Sequence, residues 1–188
     1  MYIFGYGSLI NDASRRLTGE TGRAVPAVVS GLQRHWGHTG SPVMSHLVVR
    51  EGEGQCNGVL IHIEDDALEV FDIREAGYQR VPLDSKRIQV LEDGFVVEGP
   101  VYVYVTDEVV APCYTHPIAQ SYVDTVLAGC LRYSADFAEC FISSTLGWHF
   151  PRIDDRRQPV YQRVAGIEDS DRVLIDNMLQ CCPRPFKR

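Results

Sequence analysis

The chain has no apolar stretch near the 18–20 residues that a membrane-spanning helix requires. Basic residues are too few for a nucleic-acid partner: 18 Lys and Arg stand against 25 Asp and Glu, a formal charge of −7. Phosphate neutralisation needs clustered cations, and an anionic membrane surface would repel such a protein. Six cysteines are present, yet none forms C-x-x-C, so neither a zinc knuckle nor a thioredoxin-like motif is offered. The nucleophile elbow G-x-S-x-G is absent, as are a P-loop, an internal repeat and a low-complexity linker. No basic leader precedes an apolar run at the start, which leads us to expect a cytoplasmic protein.

What is present is an ordinary soluble composition, 45% hydrophobic and 23% charged over 188 residues, enough for one domain with a real core. The first half reads as strands. Tyr2 to Gly5, Val-rich Ala24 to Ser30, His46 to Arg50, alternating Gly58 to Ile63 and Val101 to Val105 are all expected in a sheet. Val81 to Glu92 and Phe95 to Glu98 flank Asp93-Gly94 as a hairpin would. One helix, Ala67 to Ala76, is embedded among them, with Asp66 and Glu69 as a capping box and Gly77 as its left-handed stop. The second half turns helical, at Ile118 to Tyr133, Ala135 to Ser144 and from Ser170 onward, with Leu174 and Met178 facing inward. Strands first and helices later favour an α+β domain. Between the helices, Asp154-Asp155-Arg156-Arg157 reads as a solvated, self-pairing loop, with a lid over a ligand pocket as its alternative.

Two segments carry chemistry. Glu75 shares a helix face with Leu68 and Phe71, so the core-facing stripe should carry a carboxylate inward, at the negative end of the helix dipole. Burial and that dipole both favour a protonated carboxyl, the condition for general acid–base work. The bland alternative is a rim ion pair with Arg74 or Arg80. Gly5-Tyr6-Gly7-Ser8-Leu9 follows the first strand, and its two glycines permit a tight turn that exposes successive backbone N–H groups. Ile10 occupies the third glycine position of a dinucleotide fingerprint, which excludes that motif. The six histidines lie in strand and loop segments without helical ligand spacing, and no metal or other cofactor is expected.

Together the two segments resemble the γ-glutamylcyclotransferase-like superfamily of AIG2-like and ChaC-like proteins. The matching pieces are Phe4-Gly5-Tyr6-Gly7-Ser8-Leu9-Ile10, Gly31-Leu32-Gln33-Arg34, Cys56-Asn57-Gly58-Val59-Leu60 and Asp72-Ile73-Arg74-Glu75-Ala76-Gly77-Tyr78. The likeness runs from about Met1 to Asp107. It implies a single domain over 1–188: a small mixed β-barrel with flanking helices (core about 1–110) and a helical C-terminal elaboration (about 111–188). It also implies Glu75 as the catalytic acid/base and Tyr6, Gly7, Ser8 and Leu9 as the pocket for a γ-glutamyl group. Tyr78 matches a family tyrosine near the pocket, Tyr104 or Tyr102 supplies an aromatic wall, and Arg34 matches a basic position after the second strand. The implied activity is release of 5-oxoproline from a γ-glutamyl amide or dipeptide by the substrate's own α-amine. Glutathione-specific ChaC-like proteins carry an Arg-Gly-Thr type segment that His35 to Ser45 lacks. The competing reading is a non-catalytic small-molecule-binding module on the same fold.

Overall fold

The computed structural model describes residues 1–17, 19, 21–38, 43–64 and 67–187. The Asp66 cap and part of the His35–Ser45 stretch lie outside these described residues.

Strand β1 (Tyr2–Gly5) runs into a 3-10 turn (Ser8–Ile10) and a short helix α1 (Asp12–Arg16). Two long strands follow, β2 (Ala24–Gly37) and β3 (His46–His62), then helix α2 (Leu68–Arg74) and the short strands β4 (Gln79–Pro82), β5 (Ile88–Val90) and β6 (Val101–Val105). The second half holds β7 (Ile118–Ala119), α3 (Gln120–Leu131), α4 (Ala135–Ser143), β8 (Thr145–Leu146), β9 (Arg152–Ile153) and α5 (Asp169–Met178). This is the α+β organisation expected from strands gathered first and helices later.

Seven strands form one mixed sheet in the order β4-β6-β1-β3-β2-β5, with β8 added alongside β2. β1 pairs antiparallel with β3 and parallel with β6, which places the first strand at the centre. Strand alternation sorts side chains onto two faces. Ile3, Trp36, Val59, Ile61 and Tyr104 face the helices and join the larger core with Val123, Val126, Leu127 and Phe141. Tyr2, Phe4, Leu60, Val101 and Val103 face the other way into a second core. Val81 of β4 and Ile88 and Val90 of β5, from opposite ends of the strand order, pack against that second core. The sheet is therefore rolled, but its ladder does not close among the described residues, so the structure is an open sheet where a closed barrel was expected. Leu83, Phe95 and Val97 pack against the same core.

Three local expectations change. Phe95 to Glu98 forms no strand; β4 pairs with β6 and β5 with β2, so the Asp93-Gly94 turn does not make a hairpin. The three strands read at 24–30, 46–50 and 58–63 belong to two long ones, because a bulge between Ser30 and Leu32 lets β2 bend and keep its pairing with β3. In α5 Asp171 and Ile175 are buried and Met178 packs against the larger core as expected, while Leu174 is half exposed. A Glu168–Asp171 capping box starts that helix with Glu168 as the cap, two residues before Ser170.

Helix α3 is buried along nearly its whole length, from Gln120 to Cys130, which makes it the centre of the helical layer. Its polar residues find partners. Asp124 accepts Gln120 Nε2 at 2.7 Å and Arg156 Nε at 2.7 Å. Asp155 accepts the Ser121 N–H at 2.7 Å and its hydroxyl at 2.5 Å. The Asp154-Asp155-Arg156-Arg157 run is thus clamped onto α3, not a self-pairing solvated loop. Without alignment to α3, the sequence offered these charges only each other.

Arg34 lies at the junction of the two halves and is fully buried. Its Nε donates to Thr145 Oγ1 at 2.7 Å, and Nη1 donates to the carbonyls of Asn57 at 2.6 Å and Tyr6 at 3.3 Å. Nη2 serves Asn57 Oδ1, the Phe141 carbonyl and Ser144 Oγ, and the guanidinium lies 3.6 Å over the Phe141 ring. Removing the guanidinium would strand several buried acceptors at about 1–3 kcal/mol each. Arg34→Met is expected to lower unfolding free energy by at least about 3 kcal/mol in urea melts. A loss below about 1 kcal/mol would show that the network is not what joins the halves.

Candidate active site

At the C-terminal end of β1 the chain must leave the sheet, and Gly5 to Leu9 make that exit. Ile10 and Asn11 donate their N–H groups to the carbonyls of Gly7 and Ser8, closing the 3-10 turn. The N–H groups of Gly7, Ser8 and Leu9 lie at its open end, where such a turn has no partner of its own to give them. Asn11 fixes the far end: its Oδ1 accepts the Ser14 N–H at 3.1 Å, and its Nδ2 donates to the carbonyls of Thr125 and Ala165.

The turn borders a cavity of about 360 Å³ that Tyr6, Gly7, Ser8, Leu9, Glu75, Tyr78 and Tyr104 all line. Seven of the eight residues singled out from the sequence are thereby brought together from three separate segments. The eighth, Arg34, does not line it, and its expected place in substrate binding is corrected: all its donors are spent on buried protein acceptors, one of them the Tyr6 carbonyl. Tyr102 and Tyr104 share one face of β6, and it is Tyr104, further along the strand towards the exit of β1, that lines the cavity.

Glu75 is half-buried, not carried fully into the core. Helix α2 ends at Arg74, so Glu75 is the cap residue, and Gly77 follows with φ +99 as the left-handed stop. The cap leaves Glu75 in the cavity wall. What orients α2 is Asp72, which accepts the Tyr104 hydroxyl at 2.7 Å and Arg80 Nη1 at 2.6 Å. Arg80, one candidate for the rim ion pair, thus bonds the residue one turn before Glu75; the side chain of Arg74 is outside the described set.

The cavity's neighbours are held in fixed protonation states. Burial pushes the Tyr6 phenol well above its ordinary range, and the facing charge of Glu75 raises it further. That phenol donates to the Tyr104 carbonyl at 2.8 Å, tying β1's exit to β6. Burial, with the bond to Asp72, likewise raises Tyr104. His46 is driven the other way, down to about 4, by burial first and then by the charges of Arg163 and His38. The phenols are donors at neutral pH, and the imidazole is neutral.

His46, Leu47, Tyr122, Tyr161 and Arg163 also line the cavity, and sequence reasoning missed them. Tyr161 and Arg163 follow directly on the loop that Asp155 and Arg156 clamp to α3. Tyr161 is further held by Ser14, hydroxyl to hydroxyl at 3.3 Å. The signal that could have found them was the acidic–basic run itself, read as a clamp onto the buried polar positions Ser121 and Asp124. Trp36 packs edge-on against Tyr122 and Trp148, as a core residue.

The cavity is small, with the glycine turn on one wall, the Glu75 carboxyl on another and phenols between them. The sequence matches the family described as "Gamma-glutamyl cyclotransferase, AIG2-like" over residues 3–121, and the chain belongs to that family. No curated protein matches it. Among solved structures, one titled "Gamma-glutamyl cyclotransferase" superposes with a TM-score of 0.55 at 12% identity, covering 94% of this chain and 98% of its own. An uncharacterized protein from Homo sapiens, loc79017, gives 0.57 at 12% identity, with 93% and 97% covered. YkqA from Bacillus subtilis gives 0.56 at 21% identity, covering 76% of this chain and 53% of YkqA. At these identities the structures share the fold. No helix among the described residues is long and apolar enough to cross a membrane.

Two titrations follow from these environments. His46 is depressed from 6.5 to about 4, so its contribution to stability is complete above 6.5 and is lost as pH falls towards 4. His46→Gln should flatten the decline in urea stability over that window; an unchanged slope would remove His46 as its source. Away from the cavity, hydrogen bonds from Thr115 and then His116 pull the exposed Cys113 thiol down to about 6, whereas burial raises Cys130 to about 12. Brief iodoacetamide treatment at pH 7 should therefore label Cys113 well before Cys56 or Cys130, as peptide mass spectrometry would show.

Proposed function

We propose that the protein is a cyclotransferase that releases 5-oxoproline from a γ-glutamyl amide or dipeptide, with Glu75 as the acid/base group. The observation that carries this reading is the meeting of Glu75 with the Gly7-Ser8-Leu9 turn across one cavity, in a chain of the γ-glutamyl cyclotransferase family. In the proposed reaction Glu75 takes a proton from the substrate's α-ammonium. The freed amine attacks the γ-carbonyl carbon and closes a five-membered ring. The γ C–N bond then breaks, and Glu75 returns its proton to the departing amine. That amine leaves as an ammonium and gains two protons, the number the α-ammonium loses in becoming the lactam N–H; Glu75 carries one of them.

The nucleophile belongs to the substrate, so the protein's task is folding and charge stabilisation. Holding the amine against its own carbonyl can supply about 7–11 kcal/mol. Donors placed at the developing oxyanion contribute about 3–4 kcal/mol apiece. The backbone N–H groups of the glycine turn suit that second role, and Tyr78 and Tyr104 enclose the glutamyl chain.

Incubation with a panel of γ-glutamyl dipeptides, γ-glutamylamines and glutathione, assayed for 5-oxoproline, tests the reading. Glu75→Gln is expected to lower turnover at least about 100-fold. Its folding free energy should stay within about 1 kcal/mol of the wild type. Ligand binding without product from any compound would favour a binding module. A Glu75→Gln protein that unfolds while each folded molecule stays active would make Glu75 a rim ion-pair residue.

A further inference from the structure

The cavity is buried at the glycine turn and open at one rim, where His46, Glu75 and Tyr78 are half-buried and Arg163 is exposed. The strap that carries Arg163 is fixed on both sides of it. The Arg163 carbonyl accepts the Ser14 hydroxyl at 2.8 Å, and the Ala165 carbonyl accepts Asn11 Nδ2 at 3.0 Å. Upstream, the Val160 N–H donates to Asp155 Oδ2 at 2.9 Å. Gly166 lets the strap lie against the start of α1, since a Cβ there would stand 2.9 Å from Ala13 Cβ. Yet among the described residues no ion pair or hydrogen bond takes the Arg163 guanidinium. Arg15 and Arg156, on the segments that hold this strap, are committed to Asp12 and to Asp124 and Asp176.

A cation at this rim bears on which ligands can enter. The chain carries a formal charge of −7, Glu75 is the other charged residue of the described lining, and burial keeps His46 neutral. An anionic ligand therefore meets one favourable charge on that lining, and it belongs to Arg163. The part of a γ-glutamyl substrate that closes the ring must reach both the glycine turn and Glu75, so the portion beyond the γ-carbonyl extends towards the rim. Resting on the cyclotransferase reading above, we propose that Arg163 is a specificity-determining residue that pairs with a carboxylate on the amine-side portion of the substrate. The substrate class is then γ-glutamyl amino acids, in preference to γ-glutamylamines, which lack that carboxylate. A guanidinium suits the task, because its planar fork can hold both carboxylate oxygens at once. Arg163 lies beyond the family match at 3–121, in the helical half of the chain.

The test uses γ-glutamylalanine and γ-glutamylethylamine, which differ only in that carboxylate. The wild type should favour the alanine compound at least about 10-fold in kcat/KM, and Arg163→Gln should cut this preference by about 10-fold or more. Arg163→Lys, which keeps the charge without the fork, should retain part of it. Added salt should erode the preference of the wild type, because the pair is exposed. A wild type that favours the ethylamine compound overturns the proposal. So does a preference that Arg163→Gln leaves untouched, including a parallel fall on both compounds, which would put Arg163 on the glutamyl α-carboxylate they share or make it a prop for the strap. Should the wild type form no 5-oxoproline from either compound, the cyclotransferase reading falls, and calorimetry on the same pair still decides the carboxylate contact. Tighter binding of the alanine compound that Arg163→Gln abolishes upholds it; equal binding of the two overturns it.

Discussion

A buried guanidinium with no carboxylate beside it holds this protein together. Burial presses the pKa of Arg34 downward, and the groups that press it back are the thiols of Cys56, Cys130 and Cys140 and the phenol of Tyr122. The charge is tolerated because its N–H groups all end on carbonyls, hydroxyls or an amide, from Tyr6, Asn57, Phe141, Ser144 and Thr145. Those acceptors belong to the exit from β1, to β3, to the end of α4 and to β8. A point-like ammonium could not reach all of them; the planar fork of arginine can. Asn57 extends the same junction by donating Nδ2 to the Phe137 carbonyl in α4 at 2.8 Å. The glycine turn, the rolled sheet and the helical layer are thereby referenced to one rigid group, which holds the turn through the Tyr6 carbonyl.

That junction explains why the second half of the chain matters to the cavity. The family match covers the glycine turn, Glu75, Tyr78 and Tyr104, but the cavity has another wall made by Tyr122, Tyr161 and Arg163. Helix α3 reaches the turn because Gly129 lets it approach Asn11 closely: a Cβ at 129 would lie 2.6 Å from the Asn11 backbone. The loop after β9 reaches it because Asp155 and Arg156 bind α3. A helical segment that seemed an elaboration from its sequence is thus half of the site's enclosure.

How much of this was legible in the sequence follows from the range of each interaction. Glycine spacing, the stop at Gly77 and the stripe of Leu68, Phe71 and Glu75 are local features, set by backbone sterics and helical period, and they pointed to the glycine turn and to the helix that presents Glu75. Buried-strand and buried-helix segments also showed themselves through apolar runs. Arg34 was misjudged because a basic residue in a strand reads as a ligand contact or a surface charge. Only the tertiary structure reveals six acceptors converging on it from four segments. The rolling of the sheet without closure, the merging of the predicted short strands into the long β2 and β3, and the aromatic wall from α3 are likewise long-range outcomes. The Asp154–Arg157 run failed for the same reason, since its partners are 32 and 34 positions away.

The electrostatics of the cavity bear on why one carboxylate is enough for the proposed chemistry. Phenols at Tyr6, Tyr104 and Tyr122 are pushed upward by burial and hold their protons, and His46 is pushed downward and holds none beyond its neutral form. Each is fixed as a donor or a neutral dipole across the neutral pH range, so none competes for the proton that the substrate's ammonium must release. A second exchangeable base would leave that proton with two destinations and the amine with two geometries. By removing the alternatives, the burial that keeps the phenols protonated leaves Glu75 as the proposed acceptor. In the proposed chemistry, acid–base function and charge stabilisation then share one cause, the burial of the aromatic side chains that both halves of the chain bring to the glycine turn.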